Sequence, residues 1–396
     1  MVVGPRIVGG MRASAVGLVL LAGCTTYDFE PVNALAIAQT VKKVEIGVNP
    51  PKPALFLVVD KSGSMDQPVT PTVTRMEAMK SAMGQFLTQS GSTAHLGMLP
   101  FPAGGTSSCE GGDIANVAVP LDQGDEDGAR LAQAALGVKV AIDGLRAAGG
   151  TPTALTMRAI GTYPPMLERD RDRFAVLLTD GLPNCNPAND PQAMTCTCTI
   201  APRPASCTVT VGAQVLNQCL DDQGSADEID LLKVKGIRTI VIGFGTDVAN
   251  AEGAATMARM AAAGGFTRPC TTSADCNAGD SCNPGGVDPC GRPTSTCGQS
   301  FFQAGNAAEL GRAMEAIRAS VTCDPCLQVM AARPSDAALV SVLIDDLPTA
   351  TGPDTWVFRD SATAPTVEFV GGLCARLRAS NATDPVTVEI RSVESL

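Results

Sequence analysis

The chain is poor in residue types on which many enzymes and nucleic-acid-binding proteins depend. Its 396 residues include one His, one Trp and two Tyr, and aromatic residues make up only 4% of it. A zinc site built on several imidazoles is therefore excluded. The formal net charge of −11 argues against the basic surface of a nucleic-acid-binding protein. It also argues against electrostatic docking on anionic lipid.

Sequence fingerprints of common enzyme classes are missing as well. There is no Gly-x-Ser-x-Gly elbow and no phosphate loop. A dinucleotide fingerprint starts at Gly243 and Gly245 but has Val248 where its third glycine belongs. His95 begins an apolar strand, where a structural role is expected. We therefore expect a binding protein and no enzyme. The alternative, metal-assisted hydrolysis, would need a base beside the ion.

Apolar residues and cysteine are abundant. Hydrophobic residues make up 45% of the chain, so a sizeable core can be buried, built mostly from Ala, Val, Leu, Ile and Met. The 15 cysteines are far more than a cytosolic protein of this size carries. They indicate an oxidising compartment and disulfide bonds.

The first 23 residues have the pattern of an export signal. Arg6 and Arg12 precede a short apolar run at 16–23, which falls short of the roughly 20 residues that a membrane-spanning helix needs. The run ends in Leu-Ala-Gly-Cys, which resembles the lipobox of bacterial lipoproteins. The resemblance implies cleavage before Cys24 and lipidation of Cys24. The protein would then be anchored to the bacterial cell envelope, on its periplasmic or cell-surface side.

Periodicity divides the rest of the chain into three parts. Residues 24–53 are predicted to be a tether with one strand at 40–48, and residues 321–396 a small β-rich module that this strand could join. Between them strands and helices alternate. We predict strands at 54–60, 96–101, 174–180, 237–244 and 301–303, a hairpin partner at 114–121, and helices at 75–89, 131–148, 154–160, 250–263 and 306–319. This pattern predicts an α/β fold with a doubly wound, mostly parallel sheet.

Polar motifs follow two of these strands and one helix. They are Asp60-Lys61-Ser62-Gly63-Ser64, Gly150-Thr151-Pro152-Thr153 and Thr179-Asp180-Gly181. Together they resemble the metal-ion-dependent adhesion site (MIDAS) of von Willebrand factor A (VWA) domains, and the resemblance covers about residues 54–320. Turn geometry alone would favour the same residue types, but not three such motifs in this order.

The resemblance implies a divalent metal site. Hydroxyl oxygens of Ser62, Ser64 and Thr151 suit a hard cation such as Mg²⁺, with Mn²⁺ or Ca²⁺ as alternatives. Asp60 and Asp180 would hold hydroxyls or waters in place, largely without touching the ion. An acidic side chain of a protein partner could then fill an open coordination position. The second hypothesis is an envelope scaffold in which the metal stabilises the fold.

The remaining cysteines fall into groups along the chain. Cys109 stands alone, five follow the 174–180 strand, five lie at 270–297, and the last are Cys323, Cys326 and Cys374. Topology places Cys109 beside the group that starts at Cys185, so we predict a bond between them. We also predict one bond from the 270–297 group to the last group. The two groups of five cysteines lie in predicted insertions of the central domain, at about 182–224 and 270–297. The first insertion is either a specificity rim over the metal or a stapled loop that contacts no ligand.

Overall fold

The structure is a computed structural model, and it describes residues 40–46, 51–104, 109–124, 127–200, 204–245, 248, 250–285, 292, 294–330, 333–360, 365–380 and 385–393. The predicted export signal at 1–23, the lipidation site Cys24 and Cys290 lie outside these residues. The strands are β1 (Thr40–Ile46), β2 (Ala54–Asp60), β3 (Pro68–Thr70), β4 (Val73–Thr74), β5 (His95–Phe101), β6 (Arg173–Thr179), β7 (Thr208–Val211), β8 (Gln214–Asn217), β9 (Ile237–Phe244), β10 (Cys282–Asn283), β11 (Thr296–Cys297), β12 (Phe302–Ala304), β13 (Leu327–Val329), β14 (Ser341–Ile344), β15 (Leu347–Thr349), β16 (Trp356–Asp360), β17 (Pro365–Phe369) and β18 (Val386–Ser392). The helices are α1 (Arg75–Ser90), α2 (Gly128–Asp143), α3 (Thr153–Ile160), α4 (Pro164–Leu167), α5 (Asp222–Val234), α6 (Ala251–Gly264), α7 (Ala307–Val321) and α8 (Gly371–Ala379).

A five-stranded sheet in the order β12-β9-β6-β2-β5 forms the centre of the fold, and its strands are parallel. Alternate residues of β2 enter two separate apolar clusters. Leu55, Leu57 and Val59 pack with residues of α1, α2 and α7. Ala54, Phe56 and Val58 pack with residues of α3, α5 and α6. Both faces of the sheet are therefore covered, and the predicted doubly wound α/β fold is confirmed.

Two local predictions are wrong. Residues 114–121 form no strand beside β5 but make a single antiparallel bridge, between Met98 and Val119. The carboxylate of Asp113 accepts hydrogen bonds from Ala115 N and from the side chain of Asn116, which turns the chain there instead. Helix α2 ends at residue 143 rather than 148, because the chain turns at Gly144. Helices α4, α5 and α8 were not predicted.

Disulfide bonds hold the long connection between β6 and α5 in shape. Within this insertion Cys196 bonds to Cys219 across the β7–β8 hairpin, and Cys198 bonds to Cys207 just before it. Cys185 bonds to Cys109, as predicted. Because a loop of this length has little apolar core of its own, these cross-links stabilise its folded shape.

The second cysteine-rich insertion is cross-linked within itself. Its described bonds are Cys270–Cys282 and Cys276–Cys297. Disulfide sulfurs are not free thiolates, so these cysteines are structural and do not form a zinc site. Cys326 bonds to Cys374, and Cys323 is also disulfide-bonded. The predicted link from this insertion to the last group stays a prediction.

The C-terminal module is β-rich, as predicted. Its two antiparallel sheets run β1-β18-β14-β15 and β13-β17-β16. They enclose a small core that includes Trp356, whose indole N–H donates to Thr349 O at 2.7 Å. Strand β1, predicted within the tether, belongs to this module through its pairing with β18. No helix among the described residues combines the length and the apolar character needed to cross a membrane.

Candidate metal centre

The carboxyl ends of β2 and β6 lie side by side, and backbone hydrogen bonds join the loop after β2 to the end of β5 and to the segment that precedes α3. Lys61 N donates to Phe101 O, and Gly63 N donates to Gly149 O at 2.9 Å. Ala148 N donates back to Lys61 O at 2.6 Å. The loop after β2 is thereby held against the segment that leads into α3. This arrangement brings the three sequence motifs to one end of the sheet.

A chain of hydrogen bonds connects the side chains of the first and third motifs. The hydroxyl oxygens of Ser62 and Ser64 lie 2.9 Å apart, and Ser64 Oγ donates to Asp180 Oδ1 at 2.8 Å. Asp60 accepts from Ser62 N at 2.7 Å and from Thr179 Oγ1 at 2.6 Å. Both carboxylates therefore orient groups around them, as a supporting shell of a metal site does.

The hydroxyl of Thr151, the third predicted hydroxyl ligand, lies beside Gly181, as the hydroxyl of Ser64 does. A Cβ atom built at position 181 would lie 3.4 Å from Ser64 Oγ and 4.0 Å from Thr151 Oγ1. Both hydroxyls therefore face the same side of this glycine, and a side chain there would fill the space beside them. All five predicted site residues, Asp60 among them, thus lie around one small volume.

Burial and charge make this volume unusual. Asp60 and Asp180 are both fully buried. Burial, together with the nearby charge of Asp180, raises the pKa of Asp60 to about 7, although hydrogen bonds from Thr179 and Ser62 oppose the shift. Two buried carboxyls that repel each other in this way disfavour being ionised together, and a bound cation nearby would offset that repulsion.

Sequence reasoning missed Arg75, which contacts this site. Its Nη1 lies 2.9 Å from Asp180 Oδ2, and the arginine is almost completely buried. Arg75 is also the first residue of α1. A positively charged side chain at a helix N-terminus interacts unfavourably with the helix dipole. The position of Arg75 there could therefore have indicated an acidic partner nearby. The guanidinium balances part of the charge of Asp180.

The second missed residue is Asn184, at the start of the first insertion. Thr151 N donates to Asn184 Oδ1 at 2.8 Å, and Asn184 N donates to Thr151 O at 2.9 Å. The insertion therefore contacts a predicted site residue directly. That observation excludes an insertion isolated from the site, but whether it touches a ligand stays a prediction.

The residues present fit a hard divalent cation. Ser62, Ser64 and Thr151 offer neutral oxygen ligands, with two carboxylates behind them, and no softer ligand is found among them. Ser62 and Thr151 are buried, whereas Ser64 is partly exposed and Gly63 is exposed. The cluster therefore reaches solvent on the side of the Ser62–Ser64 turn, where an outside group could approach.

Neither a scan against protein-family models nor a search of curated protein sequences found a match. Similar solved structures include the pilus adhesin SpaC from Lactobacillus rhamnosus GG, which is 15% identical over 87% of this chain and 40% of that chain, with a TM-score of 0.44. A von Willebrand factor type A protein from Catenulispora acidiphila is 13% identical over 90% of this chain and 65% of that one, with a TM-score of 0.36. Manganese-loaded TRAP protein from Plasmodium vivax is 17% identical over 55% and 65%, with a TM-score of 0.32. The chain spans less than half the length of the pilus adhesin. These likenesses are too distant to carry a functional conclusion.

Proposed function

We propose that the protein binds a divalent cation, Mg²⁺ first and Mn²⁺ or Ca²⁺ as alternatives, and uses it to bind an acidic group of a protein partner. Ser62, Ser64 and Thr151 would hold the ion, and Asp60 and Asp180 would orient them. The observation that carries the proposal is the hydrogen-bonded chain from Ser62 through Ser64 to Asp180. When bound, the cation would supply a positive centre able to accept a carboxylate oxygen.

We place the protein on the bacterial cell envelope, anchored through lipidated Cys24. Several disulfides among the described residues support an oxidising compartment, because such bonds persist outside the cytosol. Incorporation of a labelled fatty acid tests the anchor directly. We expect label in the native protein and none in Cys24→Ser, and label retained in Cys24→Ser would contradict the anchor.

Calorimetric titration with MgCl₂, MnCl₂ and CaCl₂ tests the cation site. Ser64→Ala removes one proposed ligand and the hydrogen bond to Asp180, so we expect the affinity to fall on the order of tenfold or more. Ser92→Ala is the matched control, because Ser92 is exposed and precedes β5 at the opposite end of the sheet. Native protein that takes up none of the three ions would refute the proposal.

A partner-binding assay distinguishes metal-dependent binding of an acidic group from the alternative, a scaffold in which the metal only stabilises the fold. A library of peptides containing Asp or Glu, with matched Asn or Gln peptides, is screened on the protein in Mg²⁺ and then in EDTA. We expect capture of acidic peptides only with Mg²⁺. Capture that is unchanged in EDTA would favour a scaffold whose metal serves the fold.

We also propose that the site binds and does not catalyse. His95, the one histidine in the chain, lies at the start of β5, at the end of the sheet opposite the motifs. A general base beside the ion would then have to be one of the two carboxylates, and both already accept hydrogen bonds, Asp60 from Thr179 and Asp180 from Ser64. A screen of ester, phosphoester and peptide substrates with Mg²⁺ should show no turnover. Turnover that disappears in Asp180→Ala would overturn this part of the proposal.

A further inference from the structure

Both backbone polar groups of Thr151 are bound by a single residue of the first insertion. Asn184 Oδ1 accepts from Thr151 N at 2.8 Å, and Asn184 N donates to Thr151 O at 2.9 Å. Asn184 is only 6% exposed. Thr151 O also accepts from Thr153 N at 2.8 Å. Because the Thr151 hydroxyl is attached to this backbone, Asn184 helps to set the position of that hydroxyl.

Asn184 is itself held from the other side by the insertion. Its Nδ2 donates to Gln218 Oε1 and to Thr199 Oγ1, each at 3.1 Å. Reversing the amide would set its NH₂ group against the N–H of Thr151, so the bonding pattern fixes its orientation. The side chain therefore links the disulfide-bonded part of the insertion to the Thr151 backbone.

The Cys109–Cys185 disulfide packs against the residue that precedes Thr151. A Cβ atom at Gly150 would lie 2.4 Å from Cys185 Sγ and 3.4 Å from Cys109 Sγ. Cys185 has a φ of 67°, in the left-handed region that non-glycine residues seldom adopt. Its N–H donates to Asn217 O at 2.9 Å. The cross-link and this bond hold the chain beside Asn184 in an unfavourable conformation.

We propose that Asn184 is a positioning residue for Thr151, through which the disulfide-bonded insertion sets the affinity of the site for its divalent cation. The inference rests on the proposed function. A small hard cation requires its oxygen ligands within narrow limits of distance and angle. Loss of a partner that orients a ligand typically weakens metal binding by about tenfold to a hundredfold. Greater mobility of Thr151 should therefore weaken cation binding by a similar factor.

Three variants test the role of Asn184. Asn184→Ala removes the acceptor for Thr151 N, whereas Asn184→Asp keeps an acceptor oxygen of the same reach. Asn186→Ala is the matched control, because Asn186 lies in the same insertion but its side chain bonds to Asp221 and Ala188 instead. Each variant is titrated with MgCl₂ by calorimetry. Its melting temperature and the exchange rate of the Thr151 amide proton are measured in EDTA by thermal unfolding and NMR.

We expect Asn184→Ala to weaken Mg²⁺ binding by about tenfold or more and to speed exchange at the Thr151 amide. Asn184→Asp should restore slow exchange, and Asn186→Ala should leave both properties near those of the native protein. A merely structural role would instead lower the melting temperature in EDTA and leave the Mg²⁺ affinity of the folded fraction unchanged.

The outcomes separate the two proposals. Native protein that does not bind Mg²⁺ refutes the proposed function. Native protein that binds it while Asn184→Ala binds equally well, or while Asn186→Ala is weakened as much, refutes the positioning role alone. If Asn184→Ala does not fold, Gln218→Ala removes one support of the Asn184 amide. It should then speed exchange at Thr151 and weaken Mg²⁺ binding severalfold, and no change in either would refute the inference.

Discussion

In a chelating buffer, Asp60 should make the protein less stable as the pH rises from about 4 to about 7. Burial and the charge of Asp180 raise the pKa of Asp60 from 3.8 to about 7 in the folded protein. Below pH 4 the carboxyl is protonated in both the folded and the unfolded chain. Between the two pKa values only the unfolded chain ionises, so rising pH favours unfolding. Above about pH 7 both forms are ionised and the effect levels off.

The size of the effect follows from the shift. One proton bound by the folded chain and not by the unfolded chain lowers the free energy of unfolding by about 1.4 kcal/mol per pH unit. Between pH 5 and pH 7 the Asp60 contribution is therefore roughly 2 to 3 kcal/mol. Asp60 is fully buried, so screening by solvent does not reduce it.

Urea unfolding at half-unit pH steps, in EDTA, measures this slope. Asp60→Asn should flatten the native slope between pH 5 and pH 7, because an amide does not titrate and can still accept from Ser62 N. Asp143→Asn, at an exposed position at the end of α2, should keep the native slope. If native protein and Asp60→Asn lose stability in parallel across this range, the reasoning about the buried carboxyl pair is wrong.

The remaining predictions concern two contacts beside the site. Arg75→Met leaves Asp180 buried without its partner, so it should lower the free energy of unfolding in EDTA by about 3 to 5 kcal/mol. Saturating MgCl₂ should then raise the melting temperature of this variant more than that of the native protein, and an equal rise would contradict the charge-balancing role. Gly150→Ala sets a methyl group against Cys185 Sγ and should destabilise by about 1 to 3 kcal/mol in urea unfolding. Gly137→Ala, in α2 with open space around it, should instead stabilise by up to about 1 kcal/mol.

Much of the central fold could be predicted because its signals are local. The apolar run that becomes β2 ends in Asp60, and a continuous run of this kind is typical of a strand buried on both faces. Parallel strands place their carboxyl ends together, so the convergence of the motifs followed from the strand pattern. The same topology placed Cys109 near Cys185, and the structure confirms that bond.

What was missed depends on contacts between distant parts of the chain. Arg75 meets Asp180 across 105 residues, and Asn184 meets Thr151 across 33. No rule of sequence spacing predicts such pairs, although a basic residue at the first position of a helix, as Arg75 is in α1, could have indicated an acidic partner. Helix α5 begins directly after the cysteine-rich insertion, and the turn-forming residues before it concealed its start. Helix α2 ends early because Gly144 interrupts an otherwise continuous Ala-rich run.

The direction of β2 has a consequence for how the molecule faces its surroundings. The chain enters the central sheet at Ala54 and reaches the cluster at Asp60, six residues later and about 20 Å away. The connection to the C-terminal module leaves from the end of α7, after that helix has run back from β12. The entry to β2 and the exit from α7 therefore both lie at the end of the sheet opposite the metal cluster. The Ser62–Ser64 turn lies at the end of the central sheet that carries neither of these connections, and Gly63 is exposed and Ser64 partly exposed to solvent there.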